Sequence, residues 1–506
     1  MRVYHDQDAD LSPLRERRTA IVGYGNQGRA QALNLRDSGL EILIGNREDE
    51  YAARARKDGF PVLPLSQAVE EADIVVVLLP DEVMPELFDT AMAPGLSAGD
   101  VLVFASGYSV AFGLIEPPAK VDVVLVAPRM IGAGVRDLYV AGRGFPAFVG
   151  VAQDHSGQAK EIALALARGI GATRAGVVEV TFAQEAELDL FTEQCFGPAF
   201  GQVLTTAVHL LLDEGYPPEA VLLELYMSGE LAYTLAKIAE LGMLQQTRLH
   251  SRTSQYGSLS RGMRFMLPEL RGKMHSGLEE IRSGTFAREW AEEQAAGCPT
   301  LNALQEAARS LPLYQLEREL RHALGARSAY LPPKPDRGPD GDAGGKASKQ
   351  RLRDRLRGRL RGRLRVRRKA PSPRTVLAPG QLEQVVRQFV AHAGNDPALK
   401  AFARDHRMTV HYVVCDGKLE FHMDFGEGVV GGGLGPPASG SDLRLTVEAE
   451  LLDSMLTGQT NAMRAALTGR LTFEGNARQA MALQRIQDDL IRIYSEARQR
   501  VTGRGT

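Results

Sequence analysis

The chain reads as three folded regions of different class: an α/β region built on a parallel sheet, an all-α region, and a small α+β region beyond a linker. Three observations carry that reading. Short β-branched runs alternate with helical patterns through the first third of the chain (TAIVGYG, LEILIGN, ADIVVVLLP, DVLVFASG, VDVVLVAP, PAFVGVAQ), as strand–helix–strand crossover units do. From about Val177 to His322 the strand pattern stops, and amphipathic stretches such as PPEAVLLELYMSGELAYTLAKIAELG replace it. Between about Leu331 and Thr375 the composition turns abruptly to Pro, Gly and Arg. The expected organisation is residues 1–176, 177–325, a disordered Pro/Gly- and Arg-rich linker over 326–375, and 376–506.

A chain of 506 residues is too long for one core. Its 44% hydrophobic and 24% charged residues and net charge of −2 fit a soluble protein, and no specific nucleic acid is expected as a partner. Cys195, Cys298 and Cys415 lie far apart without CxxC spacing, which argues against a disulfide framework or thiolate zinc site and for the reducing cytoplasm. The N-terminal MRVYHDQDADLS lacks an apolar core and no uninterrupted apolar run of about eighteen residues is visible, so neither a secretion signal nor a membrane span is expected.

In the first region, Gly23, Gly25 and Gly28 fall in GxGxxG spacing between an apolar strand and an amphipathic helix. Gly23 allows the tight turn, Gly25 lets the backbone approach a pyrophosphate, and Gly28 lets helix and strand pack closely. That context predicts a Rossmann-type domain with Gly23, Tyr24, Gly25, Asn26, Gln27 and Gly28 at the dinucleotide. Arg47, Glu48 and Asp49 follow the second strand, where the adenosine ribose lies. Arg47 suits the 2′-phosphate of NADP(H), whereas Glu48 or Asp49 suits a free 2′-hydroxyl and repels the phosphate; the balance slightly favours NAD(H). Leu79 and Pro80, at the exit of the third strand, border the cofactor.

In the second region, Glu185, Asp189 and Glu193 recur every four residues, stacking three carboxylates on one helical face at a cost of a few tenths of a kcal/mol per pair. Either the face is solvated or something cationic sits on it, and oxygen-seeking Mg²⁺ suits. In the third region GQLEQVVRQFVAHA reads as a helix, MTVHYVVCDGKLEFHMDF as a hairpin turning at Asp416-Gly417, and DLRLTVEAELLDSMLTGQ as a strand entering a helix. The linker's Arg351–Lys369 segment carries eleven arginines and lysines, with Leu352, Leu356, Leu360 and Leu364 four apart. It reads either as a basic amphipathic helix for an anionic surface or as a solvated spacer.

The run Gly23-Tyr24-Gly25-Asn26-Gln27-Gly28, with Leu78-Leu79-Pro80-Asp81-Glu82, Phe104-Ala105-Ser106-Gly107, Ala127-Pro128-Arg129, Asp189-Leu190-Phe191-Thr192-Glu193-Gln194 and Ser283-Gly284-Thr285-Phe286-Ala287-Arg288-Glu289-Trp290, closely resembles the ketol-acid reductoisomerase family over about Val3 to Leu324. The resemblance implies an all-α dimerisation domain, a homodimer with shared active sites, and chemistry on a small-molecule substrate. The family uses NAD(P)H and two Mg²⁺ ions to shift an alkyl group in a 2-acetohydroxy acid and then reduce the product. It places metal ligands at Asp189 and Glu193, with Glu193 also counted as catalytic, and a third at Glu224 from the second subunit. The fourth carboxylate falls at Ser228, leaving the second metal site incomplete; Glu230 is two residues on, about 200° around a helix. Ser106 replaces a family histidine and Arg129 a family lysine, which keeps the charge but scarcely releases a proton; both are expected, with Glu193, as the catalytic residues. Met130-Ile131-Gly132-Ala133 removes a second histidine. Ser251 matches a serine that holds the substrate carboxylate. These departures imply a divergent NAD(P)H-dependent reductase of a 2-keto acid or related imine with the isomerase step weak or lost. A working reductoisomerase of branched-chain amino-acid biosynthesis and a non-enzymatic lipid-binding or scaffold protein are the alternatives.

From about Val376 to Val501, through SDLRLTVEAELLDSMLTGQTNAMRAALTGRLTFEGNARQAMALQRI, the chain resembles the sterol carrier protein 2 (SCP2) domain. That implies an apolar tunnel for a fatty acyl or sterol-like ligand, which Phe421, Met423, Leu451, Met455, Met463 and Leu467 would line unless they are plain core.

Overall fold

The computed structural model describes residues 2–265, 268–324, 377, 379–467, 470–475 and 477–503. The linker expectation, with its basic amphipathic segment, lies outside the described residues. The chain forms two units, Met1–Ala199 with Leu267–Gly297, and Phe200–Met266 with Cys298–Thr506.

In the first unit, strands β1 (Val3–Tyr4), β2 (Thr19–Val22), β3 (Ile42–Gly45), β4 (Val62–Leu63), β5 (Ile74–Val77), β6 (Val101–Phe104), β7 (Asp122–Pro128), β8 (Ala147–Gln153) and β9 (Val177–Glu179) form one sheet, in the order β1-β9-β8-β7-β6-β5-β2-β3-β4. The six strands from β7 to β4 are parallel, as expected of crossover units. β8 departs from that expectation: it runs antiparallel to β7, and β1 antiparallel to β9. An apolar run buried on both faces carries no mark of its direction, so the sequence pattern is the same for either pairing. β9 also carries the strand pattern slightly past the point where it was expected to stop.

Side chains alternate across the sheet with a period of two. Ile21, Val76, Val103 and Val124 share one core with Leu33, Leu35, Ile162 and Leu166, while Ala20, Val75, Leu102 and Leu125 share the other with Val69, Phe88 and Met92. After β9, Thr181 and Gln184 form a capping box that starts the helix Phe182–Phe191. This helix widens into a π turn at Thr192–Phe196 and continues as Gly197–Asp213. Its first segment packs on Pro268–Arg282, with Tyr108, Leu190, Ile281 and Ala287 at the contact. The run Phe182–Asp213 is long and apolar enough, by length and composition alone, to cross a membrane, contrary to expectation. Its N-terminal end nonetheless buries Glu185 against the sheet domain's own Gly107 and Arg129, which is packing within protein.

In the second unit the C-terminal region carries β10 (Met408–Val414), β11 (Leu419–Gly426), β12 (Val429–Leu434), β13 (Leu443–Val447) and β14 (Leu471–Gly475), in the order β12-β11-β10-β13-β14. β10 and β11 form the expected hairpin around Asp416-Gly417, and β10 pairs parallel with β13. Phe389, Phe421 and Tyr494 meet edge-on in the core. Of the proposed tunnel residues, Phe421, Met423 and Leu451 are core, Met455 lines a cavity, and the side chains of Met463 and Leu467 lie outside those described.

Candidate active site

The loops after β2, β3, β5, β6 and β7 gather at the carboxyl ends of the parallel strands, around the point between β2 and β5 where the strand order reverses. A crevice opens at such a point, and ligands bind there. Gly23 sits at φ +93°, and a Cβ on it would stand 2.6 Å from the Leu78 carbonyl oxygen. A Cβ on Gly28 would stand 2.0 Å from the Gly23 carbonyl oxygen. Gly25 faces open space and begins the helix Asn26–Asp37, whose first amides receive no side-chain cap. An uncapped helix N-terminus under an open glycine fits a pyrophosphate.

The neighbouring residues divide between cofactor and scaffold. Tyr24 is buried, packs edge-on against Phe60, and donates its hydroxyl to Asp58 Oδ2 at 2.9 Å, so its side chain supports the loop from behind. Gln27 donates to the Met130 carbonyl at 2.9 Å, tying the glycine loop to the segment after β7. Asp49 caps the helix Glu50–Lys57 through the amides of Tyr51 and Ala52 and takes Arg47 Nε at 3.0 Å. Glu48 is paired with Arg56, Nη1 to Oε2 being 2.9 Å. Asp49 is thus engaged locally, while the Arg47 side chain stays largely exposed. Leu79 and Pro80 follow β5 as expected, and the next residue, Asp81, to which the sequence pattern gives no role of its own, stands beside the acidic face. Asp81 is solvent-reached, yet the enclosure around it, then the carboxylates of Glu82, Glu193, Asp189 and Glu185, push its pKa up to about 6.

Arg129, directly after β7, organises the acidic face. Its Nη2 donates to Glu185 Oε1 at 2.7 Å and its Nη1 to Asp189 Oδ1 at 3.1 Å, while the guanidinium lies over Phe148 at 4.9 Å. Glu185 is fully buried and accepts the Gly107 amide at 2.5 Å. Burial pushes its carboxyl above the usual range against the pull of that amide and of Arg129. The sequence marks Glu185 only as part of a charged face; its anchoring role depends on Arg129, which is remote in sequence. A Cβ on Gly107 would meet the Phe182 carbonyl oxygen at 2.2 Å, so the turn carrying Ser106 is pressed onto the helix start. Ser106 Oγ accepts the Tyr108 amide at 3.2 Å. Glu193 lies on the π turn, out of the regular four-residue spacing, and burial followed by the charge of Asp189 raises its pKa.

Two expected residues belong to the second unit. Glu224 is exposed on a π turn, Leu223–Met227. The helical azimuth argued for Glu230 does not hold, because Gly229 at φ +91° breaks the helix and Glu230 opens a new one, its amide on Ser228 Oγ at 3.3 Å. Ser251 is exposed and accepts the Ser254 amide at 3.2 Å.

Residues 13–176 match the acetohydroxy acid isomeroreductase NADPH-binding domain, and residues 182–325 the ketol-acid reductoisomerase C-terminal domain. The chain is 43% identical over 325 residues to the ketol-acid reductoisomerase (NADP(+)) of Pyrobaculum aerophilum, covering 64% of this chain and 98% of that protein. The chain belongs to the ketol-acid reductoisomerase family. It is a reductoisomerase-like NAD(P)H-dependent oxidoreductase with a third region, for residues 386–488 match the SCP-2 sterol transfer family. It is also 44% identical over 319 residues to a putative ketol-acid reductoisomerase 3 of Saccharolobus solfataricus, covering 62% of this chain and 95% of that one. An NADH-preferring ketol-acid reductoisomerase from an uncultured archean matches in structure with a TM-score of 0.61 and 37% identity, covering 64% of this chain and 99% of that one.

The family's Mg²⁺ can be tested against these side chains. Asp189 and Glu193 are hard oxygen donors in a crowd of carboxylates that one guanidinium does not neutralise, which fits a divalent cation. Among the described residues no three acidic, histidine or cysteine side chains of one chain gather closely enough to hold one. The fit is therefore partial.

Proposed function

We propose that this protein is a divergent reductoisomerase that reduces a 2-keto acid or related imine with NAD(P)H in the cytoplasm, NADH slightly favoured, and that its isomerase step is weak or lost. The observation that carries the reading is the engagement of Arg129 by Glu185 and Asp189. A guanidinium fixed by two carboxylates holds charge in place but does not release a proton, and it competes with a metal for Asp189. Together with the missing carboxylate at Ser228, this bears on alkyl migration, which needs two polarising ions, more than on hydride transfer.

In this mechanism Gly23 to Gly28 hold the pyrophosphate, and Leu79 and Pro80 border the nicotinamide half. Asp189 and Glu193, with Glu224 of a second copy, would hold Mg²⁺, which supplies a Lewis acid for the substrate oxygens. Arg129 stabilises negative charge developing on the reacting oxygen, Ser251 binds the substrate carboxylate, and Ser106 offers a hydroxyl where a proton acceptor once stood. The C-terminal region takes an apolar ligand.

A second reading, the full reductoisomerase reaction, is favoured by the names of relatives at more than 40% identity. Oxidation of NADH and NADPH with 2-acetolactate and with a panel of 2-keto acids, each with and without Mg²⁺, separates the two. Keto-acid reduction with negligible 2-acetolactate turnover supports the divergent reductase. Magnesium-dependent turnover of 2-acetolactate at ordinary family rates replaces it with the second reading. In the divergent case, Arg129→Lys combined with Ser228→Glu should raise 2-acetolactate turnover at least about tenfold.

A further inference from the structure

The C-terminal region encloses a cavity of about 120 Å³. Its wall is mostly apolar, with Leu445, Met455 and Leu490 among its residues beside Gln484 and Gln487, and one wall residue comes from outside the SCP2-type region. Leu304 lies on the helix Pro299–Ser310, within the segment that matches the reductoisomerase C-terminal domain. That helix packs against Ala462–Leu467 and Ala477–Gln484, the two helices flanking β14. The cavity is therefore composite, closed on one side by a residue of the enzyme part of the chain.

A second observation points to a ligand. Tyr412 lines the cavity at 4% exposure, stacked on Phe421, and its hydroxyl makes no hydrogen bond among the described residues. A hydroxyl on a largely apolar wall offers its hydrogen to a guest that carries an acceptor group. We propose that Leu304 couples occupancy of this cavity to the reductoisomerase helices. This rests on the reading that the C-terminal region takes an apolar ligand, and adds the size and the coupling.

Size sets the coupling. A cavity of about 150 Å³ accommodates a benzene-sized guest, so about 120 Å³ admits a chain of roughly five carbons with Leu304 in place. A longer chain must displace Leu304 and its helix. Pro299–Ser310 packs on Pro312–Ala323, which packs on Pro218–Leu222, and Tyr226 on the adjoining π turn donates to Glu317. That π turn carries Glu224. Displacement of Leu304 thus has a continuous packed route to a residue assigned to the metal site.

The test uses the full chain and straight-chain carboxylates from four to twelve carbons, followed by calorimetry and amide hydrogen exchange. Affinity should rise roughly fourfold per added CH₂ up to about five carbons and then flatten. Beyond that length, exchange should accelerate at least about tenfold across 299–310 and measurably across 223–227. Leu304→Ala should move the plateau to longer chains, and Tyr412→Phe should weaken binding of every carboxylate by about fivefold. Chains of all lengths binding with no change at 299–310, and identically in Leu304→Ala, would overturn the coupling while leaving an apolar ligand site. Absence of binding by any chain would overturn both.

Discussion

Arg129 is the residue on which the site turns. It satisfies a fully buried carboxylate, Glu185, and removing one partner of such a pair leaves an uncompensated charge in the interior. Arg129→Ala should therefore cost about 3 kcal/mol in chemical denaturation, and a variant as stable as its parent would show that the pair does not hold the helix start. Asp81 gives a pH test in metal-free protein. Its folded pKa of about 6 lies above the ordinary carboxylate value, so between those two values the native state binds more protons than the unfolded chain. The contribution of Asp81 to stability is present at low pH and is lost as pH rises through about 6. Asp81→Asn should raise the Tm above that pH and leave it unchanged near pH 3, and Mg²⁺ should shrink the difference by drawing the carboxylate into its charged form. The individual charges were legible in the sequence, but their partners were not. Arg129, Glu185 and Gly107 come from three separated segments, and no local spacing reports contacts that only the sheet creates.

At the scale of elements, the strand–helix alternation and glycine loop were legible because each follows from local chemistry: β-branched runs, a positive-φ glycine, a helix start. Strand direction at β8 and the π turn at Thr192–Phe196 were not, since both are set by packing against neighbours and leave the apolar pattern intact. The glycine loop gives a test that separates folding from binding. A Cβ at Gly28 collides with backbone, so Gly28→Ala should lower stability by about 2 kcal/mol and abolish cofactor binding together. Gly25 faces open space, so Gly25→Ala should leave the Tm within about 2 °C while weakening NADH and NADPH binding by tenfold or more. Equal losses of stability in the two variants would mean that Gly25 serves the fold and not the dinucleotide.

For the whole molecule, the sequence separated sheet, helical and C-terminal regions by changes of period and composition. It did not show that helices Phe182–Phe191 and Pro268–Arg282 belong with the sheet while their sequence neighbours join the second unit. The proposed site residues fall on both sides of that division: Asp189 and Glu193 belong to one unit, Glu224 and Ser251 to the other. The helices of the second unit also present apolar side chains to solvent, with Met243, Leu244 and Leu259 each more than 60% exposed. Exposed apolar surface of this kind suits an interface between chains. A two-fold pairing of chains would cover it and bring carboxylates from two copies together. Sedimentation should give a dimer, and Leu244→Asp with Leu259→Asp, both at exposed positions that the fold does not need, should give a folded monomer. That monomer should keep its NAD(P)H affinity, because Gly23 to Gly28 lie within one unit, and lose turnover by roughly 100-fold or more. A monomeric double variant that turns over normally would mean that one chain completes the site, and Glu224 would then have to act within its own copy.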